Sequence, residues 1–275
     1  MRPEIVAEIG INHNGNIATV RQLIDVAKMG GCDYVKFQKR DIDLVYTEEE
    51  LNKPRESPWG TVTRQQKEGL ELGRKEYDLI DQYCKDVGIM WFASVWDINS
   101  YEFIESYQYV PFIKIPSALI TNKKLLEVVR ESSKYIIIST GMSTWEMISE
   151  AIDIIGENKI YCLMHCTSTY PTKTEELNLR CIKTFKEKYP NIKIGFSNHH
   201  QGLIFMPVAF SMGAEMVEFH ITLNRASYGS DQAASIEPEG VNRLCKWLKA
   251  VDKALGDGEK KIYESEKPII AKLRR

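Results

Sequence analysis

The 275-residue sequence has no apolar run approaching a membrane span, so an integral membrane helix is not expected. It has little excess charge of either sign: 36 Lys and Arg stand against 38 Asp and Glu, a net of −2. No basic stripe is available for a nucleic-acid backbone, so an anionic substrate would have to be held by a few placed cations. The six cysteines, Cys32, Cys84, Cys162, Cys166, Cys181 and Cys245, form no CxxC pair. Their spacing argues against a disulfide framework and for a reduced, cytoplasmic protein. Met1-Arg2-Pro3-Glu4 runs straight into an apolar segment, so no secretory leader is expected. No GxGxxG follows a predicted strand, which removes the dinucleotide-binding fingerprint. At 43% hydrophobic residues, disorder is not expected either.

What is present is an alternation. Short apolar runs at 3–9, 33–38, 89–94, 110–115, 135–139, 159–164, 192–196 and 216–219 read as strands. Helical spacing fills 16–30, 75–87, 97–106, 122–132, 143–155 and 174–188, recurs between the last two strands, and returns at 240–255. Asp97 reads as a helix cap, and Ser143 with Glu146 has capping-box spacing. Residues 39–73 are polar, contain Pro54, Pro58 and Gly60, and read as a long functional loop. About eight β→α repeats, with no strand left over, predict an α/β fold: a single (β/α)8 TIM barrel over residues 1–255. Residues 256–275 are charged, contain Pro268, and are expected to pack on the barrel or on a partner subunit.

In such barrels the chemistry sits at the C-terminal ends of the strands. Those ends carry Glu8 with Asn12 and His13, Lys36 with Gln38, Ser94, Lys114 with Ser117, and Ser139 with Thr140. Further on they carry His165, Thr167, Ser168 and Tyr170, then Ser197 and His199, then Glu218 and His220, with Asp231 in the last loop. His199 and His220 each follow a strand directly, and imidazole is the commonest metal ligand. Lys36 and Lys114 lie in buried strands, where an unpaired ammonium is expensive. Together with Gln38 and the serines they describe a pocket for phosphate and carboxylate. Lys39 and Arg40 are expected to face solvent. Glu8 has two readings, a desolvated acid/base or the counterion of a lysine. The pattern suits aldol-type or phosphoryl chemistry on a phosphorylated small molecule.

Several segments then act as a set: AEIGINHNG (7–15), VKFQ (35–38), KIPS (114–117), STGM (139–142), HCTSTYP (165–171), GFSNH (195–199) and EFHIT (218–222), followed by Asp231. In order and spacing this set resembles the sialic acid (N-acetylneuraminate) synthase family, whose members condense phosphoenolpyruvate with an N-acylated amino sugar. The resemblance implies a transferase in which His199 and His220 hold manganese or magnesium. Lys36, Gln38, Lys114, Ser117, Ser168 and Ser197 would bind the phosphate and carboxylate of phosphoenolpyruvate, and Asn12 joins the substrate-binding residues. Tyr170 and Asp231 would contact the sugar, and Glu8 would transfer a proton or position the attacking water. A homodimer is also implied.

Departures from the family pattern accompany the likeness. Asn198 replaces an Asp, Ser168 replaces an Asn, and Ser94-Val95-Trp96 stands where Ser-Thr-Pro is usual. The family usually continues into an antifreeze-like domain that reaches the partner's site, whereas this sequence ends at Arg275. The expectation is therefore a differently closed acceptor site. Candidates are Trp59 and Arg64 in the long loop, Arg274 and Arg275 from a neighbour's tail, or a separate cap protein. Alternative readings are a phosphoenolpyruvate aldol synthase with another sugar acceptor, or a barrel that only binds its ligand.

Overall fold

The computed structural model describes residues 2–274. The barrel strands are β1 (Glu4–Gly10), β2 (Tyr34–Lys39), β3 (Met90–Val95), β4 (Phe112–Ile115), β5 (Tyr135–Ser139), β6 (Ile160–His165), β7 (Lys193–Asn198) and β8 (Met216–His220). They pair in parallel and close into one barrel, β8 returning to β1. Each lies within two residues of its expected bounds. The chain is a single (β/α)8 TIM barrel, as its sequence pattern predicts.

Helices wrap the outside, and their ends follow local chemistry. In Ile17–Gly30 the Asn16 side chain accepts from the Ala18 and Thr19 amides, and Gly31 closes the helix at φ 95°. Val20, Leu23, Ile24 and Ala27 form its buried stripe. Pro238–Leu255 is the last barrel helix. No helix among the described residues is long and apolar enough to cross a membrane.

The barrel interior is layered. At the N-terminal end Tyr34, Phe92, Phe112 and Tyr161 pack ring against ring, with centroids 4.5 to 5.9 Å apart. Beside them Lys193 Nζ donates to Glu4 Oε1 at 2.6 Å. Above that plug Met164 fills the space, and Gly195 leaves room for it: a Cβ there would lie 2.3 Å from Met164 Sδ. The polar residues of the C-terminal ends come next.

Three local expectations are corrected. Thr144, not Ser143, caps Trp145–Ile155 by accepting from the Met147 amide; the Ser143 hydroxyl instead donates to Gly141 O. The helix expected at 174–188 is a 3-10 turn, Thr174–Glu176, and a separate helix, Cys181–Lys188, because Asn178 sits at φ 39° and breaks the run. Residues 39–73 are no open loop. They fold as short helices Ile42–Val45 and Glu48–Leu51, a hairpin of Pro54–Ser57 with Gly60–Val62, and the helix Thr63–Leu70. Beyond Leu255 the described tail is exposed except for half-buried Ile270, and none of helix Lys267–Leu273 is buried.

Candidate active site

Strand register builds the site. Glu8 on β1 lies opposite His220 on β8 and Lys36 on β2. Glu218 lies opposite Ser197 on β7, and Ser94 on β3 lies opposite both Gln38 and Lys114. Side chains two apart share a strand face, so Lys36 with Gln38, and Glu218 with His220, point the same way. The result is a mouth cavity of about 190 Å³ whose walls include Glu8, Lys36, Gln38, Lys114, Ser117, Ser168, Tyr170, Ser197, His199 and His220. Ten of the twelve residues given a site role from sequence thus meet around one space.

The floor is an ion network. Lys114 Nζ donates to both oxygens of Glu218 at 2.7 Å. Lys36 Nζ lies 2.8 Å from Glu8 Oε2 and 3.6 Å from Glu218 Oε1, and donates to Ser94 Oγ at 3.1 Å. Ser197 Oγ donates to Glu218 Oε1 at 3.0 Å, and Gln38 Nε2 donates to Glu8 Oε1 at 2.7 Å. All four charged residues are at most 4% exposed, so pairing is what makes their burial tolerable. Burial alone would raise the Glu218 carboxyl, yet Lys114 and Lys36 pull it down to about 2. Burial favours a neutral Lys36, but the carboxylates of Glu218 and Glu8 prevail and raise it. At Lys114 burial, with the Lys36 charge nearby, outweighs Glu218 and lowers it. Glu8 is thus paired with Lys36 through one oxygen and with Gln38 through the other.

One wall of the mouth is made of small donors. The Gly141 amide donates to Ser117 Oγ at 3.0 Å. A Cβ on Gly141 would lie 2.2 Å from Ser168 Oγ and 2.9 Å from Ser117 Oγ. Only glycine lets the turn after β5 approach both hydroxyls so closely.

The imidazoles occupy the upper rim, with ring centroids 5.9 Å apart. His199 Nδ1 lies 2.6 Å from Thr167 O, a carbonyl that can only accept, so Nδ1 carries the proton. Its Nε2 accepts from the Tyr170 hydroxyl at 2.9 Å. Burial, then the neighbouring His220 ring, holds the His199 pKa at about 3, so the ring is neutral at pH 7. His220 Nδ1 is buried without a hydrogen-bond partner and lies 3.8 Å from Asp231 Oδ2, too far for a hydrogen bond. Two imidazoles, one fixed through its far nitrogen by a carbonyl, fit an exchangeable divalent cation. Among the described residues no group of three or more His, Cys, Asp or Glu gathers as a complete ligand set. The donors suit an open site that keeps positions for water or substrate, not a closed structural one.

Other sequence candidates fall elsewhere. Asn12 spends its amide hydrogens on Ile221 O and Ser235 Oγ, both at 2.8 Å, and so ties the first loop to the last. Asp231 stands behind His220 and outside the cavity wall. Trp59 packs on Tyr228 and over Gly69, while Arg64 pairs with Asp43 and Glu48, so neither reaches the cavity. Lys39 and Arg40 do not face open solvent: Lys39 pairs with Glu71 at 2.7 Å, and Arg40 lies over the Trp96 ring and bonds Gln38 Oε1. Arg274 is exposed, and Arg275 lies outside the described residues. The residue the sequence left without a role is Glu218. Its position two before His220, on the same strand face, was the available signal.

Fold and site define a parallel (β/α)8 barrel with a mouth built on two buried lysines and two imidazoles. The sequence model of the NeuB family matches residues 23–260, and the chain belongs to that family. It is 33% identical to the N-acetylneuraminate-9-phosphate synthase of Homo sapiens, over 98% of this chain and 78% of that protein. It is 32% identical to the N,N'-diacetyllegionaminic acid synthase of Campylobacter jejuni, over 98% of this chain and 83% of that protein. Among solved structures it is similar to the sialic acid synthetase of Leptospira borgpetersenii in complex with citrate. That match has a TM-score of 0.86 and 29% identity, covering 100% of this chain and 93% of the other.

Proposed function

We propose that this protein condenses phosphoenolpyruvate with an aldose of the N-acylmannosamine type, giving a sialic-acid-like nonulosonic acid and phosphate. The observation that carries the reading is the meeting of Lys36, Lys114, Ser117, Ser168 and Ser197 with His199 and His220 around one cavity. Membership of the NeuB family supports it. The differing product names of the relatives leave the acceptor at the level of a class.

In this mechanism Lys36, Lys114 and Ser197 bind the deeper anionic group, and Ser168 and Ser117, the latter held by the Gly141 amide, bind the other. Such fixed donors stabilise charge without reorganising during the reaction. The methylene carbon of phosphoenolpyruvate attacks the aldehyde carbon, and water adds at the adjacent carbon. The bond from that carbon to the phosphate oxygen then breaks. Glu8, steered by Lys36 and Gln38, takes or orients the proton of the attacking water. Tyr170 lies at the rim where the sugar would enter, and Asp231, behind His220, would join the sugar contacts only through that ring. His199, through Nε2, and His220 would hold manganese or magnesium, which supplies Lewis-acid polarisation of the acceptor carbonyl.

The test is incubation with phosphoenolpyruvate, manganese and a panel of aldoses, following phosphate release and product mass. Release with an N-acylated mannosamine and a product whose mass is that of the aldose plus pyruvic acid is expected. No release with any aldose, together with no binding of phosphoenolpyruvate, overturns the reading.

A further inference from the structure

The donors assigned to a substrate anion already hold one. Glu218 takes both bonds from Lys114, one from Ser197, and lies 3.6 Å from Lys36. Among the described residues its oxygens have only these three partners within bonding or ion-pair distance. Glu8 differs, because its second oxygen is fixed by Gln38, and Gln38 is itself held by Arg40. We propose that Glu218 is an internal ligand of the anion subsite, a tethered carboxylate that substrate must displace, and that it selects for ligands carrying both a carboxylate and a phosphate.

The selection follows from exchange. A tethered group competes at a high effective concentration. A simple carboxylic acid that replaces Glu218 makes the contacts Glu218 made and loses its own freedom of motion, so it gains nothing. A ligand with a second anionic group also reaches Ser117 and Ser168, on the other wall of the same cavity. Ser168 Oγ makes no hydrogen bond within the described residues that competes for it, and Glu218 does not reach that wall. The identity of the ligand rests on the phosphoenolpyruvate reading above; the geometry of the competition does not.

Calorimetric titration in chelator-containing buffer tests this without metal or turnover. The ligands are phosphoenolpyruvate, pyruvate and inorganic phosphate, and the proteins are the parent, Glu218→Gln and Glu218→Asp. In Glu218→Gln, pyruvate and phosphate should bind about tenfold tighter or more, the factor that ~1.4 kcal/mol represents. The preference for phosphoenolpyruvate over pyruvate should narrow correspondingly. Glu218→Asp keeps the charge but shortens the reach. It should shift affinities the same way by less, and it decides the matter if the Gln variant does not fold. Unchanged or weaker binding of pyruvate and phosphate in the folded variants overturns the proposal and leaves Glu218 as a group that merely orients the lysines. A parent that binds no phosphoenolpyruvate refutes the proposed function instead, while the pyruvate and phosphate comparison still judges Glu218.

Discussion

Replacing Gly141 with Ala should separate binding from folding. Gly141 is not among the positive-φ glycines, so alanine can adopt its backbone. The added Cβ is the whole perturbation, and it would start 2.2 Å from Ser168 Oγ, 2.9 Å from Ser117 Oγ and 3.2 Å from Cys166 Sγ. Ser168 must therefore turn away. Overpacking costs about 1–3 kcal/mol, and the stiffer unfolded chain returns about 0.4–1 kcal/mol. The net loss of stability should thus be small, and urea unfolding reads it. A hydrogen bond to a charged ligand group contributes about 1.5–3 kcal/mol, so losing one hydroxyl should weaken phosphoenolpyruvate about 10- to 150-fold. Calorimetry on Gly141→Ala, with Ser168→Ala as calibrator, measures it. Adding Ser168→Ala to Gly141→Ala should recover stability but not affinity, since both act on one contact. Parental affinity in Gly141→Ala would show that this turn does not form the anion wall.

Other consequences follow from the same contacts. Lys114→Met leaves Glu218 buried with only Ser197 and the more distant Lys36, and should cost about 3–5 kcal/mol; adding Glu218→Met should restore most of it, as a double-mutant unfolding cycle would reveal. Asn12→Ala removes two buried bonds and should cost roughly 1–3 kcal/mol. If Asn12 only ties loops together, phosphoenolpyruvate affinity in that variant stays at the parental value; a drop of tenfold or more would return it to the substrate site. Burial holds His13 at about 4, with its Nδ1 accepting from the Gly15 amide at 3.0 Å. The unfolded chain, titrating near the ordinary value of about 6.5, takes up its proton first as pH falls. The stability His13 contributes is therefore full above that value and is lost down through about 4. Over that window the parent should lose about 1.4 kcal/mol per pH unit more than His13→Asn, and equal slopes in urea melts would refute the assignment.

Much of this was legible in the residue order. Apolar runs marked every barrel strand, and the rule that chemistry lies at strand ends selected Glu8, Lys36, Lys114, His199 and His220. What the order could not carry was distance across the barrel. Lys114 and Glu218 are 104 residues apart, and only closure of the sheet makes them partners. Arg40 reads as a surface cation until Trp96, brought alongside by the β2–β3 pairing, lies under it. Residues 39–73 hid their helices because each is short and only Leu51, Gln66 and Leu70 among them are buried, so no long stripe of apolar periodicity forms. The break at Asn178 depends on one left-handed residue, which asparagine tolerates but does not announce.

The ring of Tyr34, Phe92, Phe112 and Tyr161 makes the barrel a cup with a single entrance. Lys36, Lys114 and Glu218 sit nearer its base, and His199, His220 and Tyr170 sit nearer its lip. Whatever lodges beside the lysines must arrive before anything settles on the imidazoles, and must wait for that upper guest to leave. Traffic through such a vessel is last in, first out, so whichever group binds beside the lysines should be the last to depart and should compete with the first ligand of the next cycle.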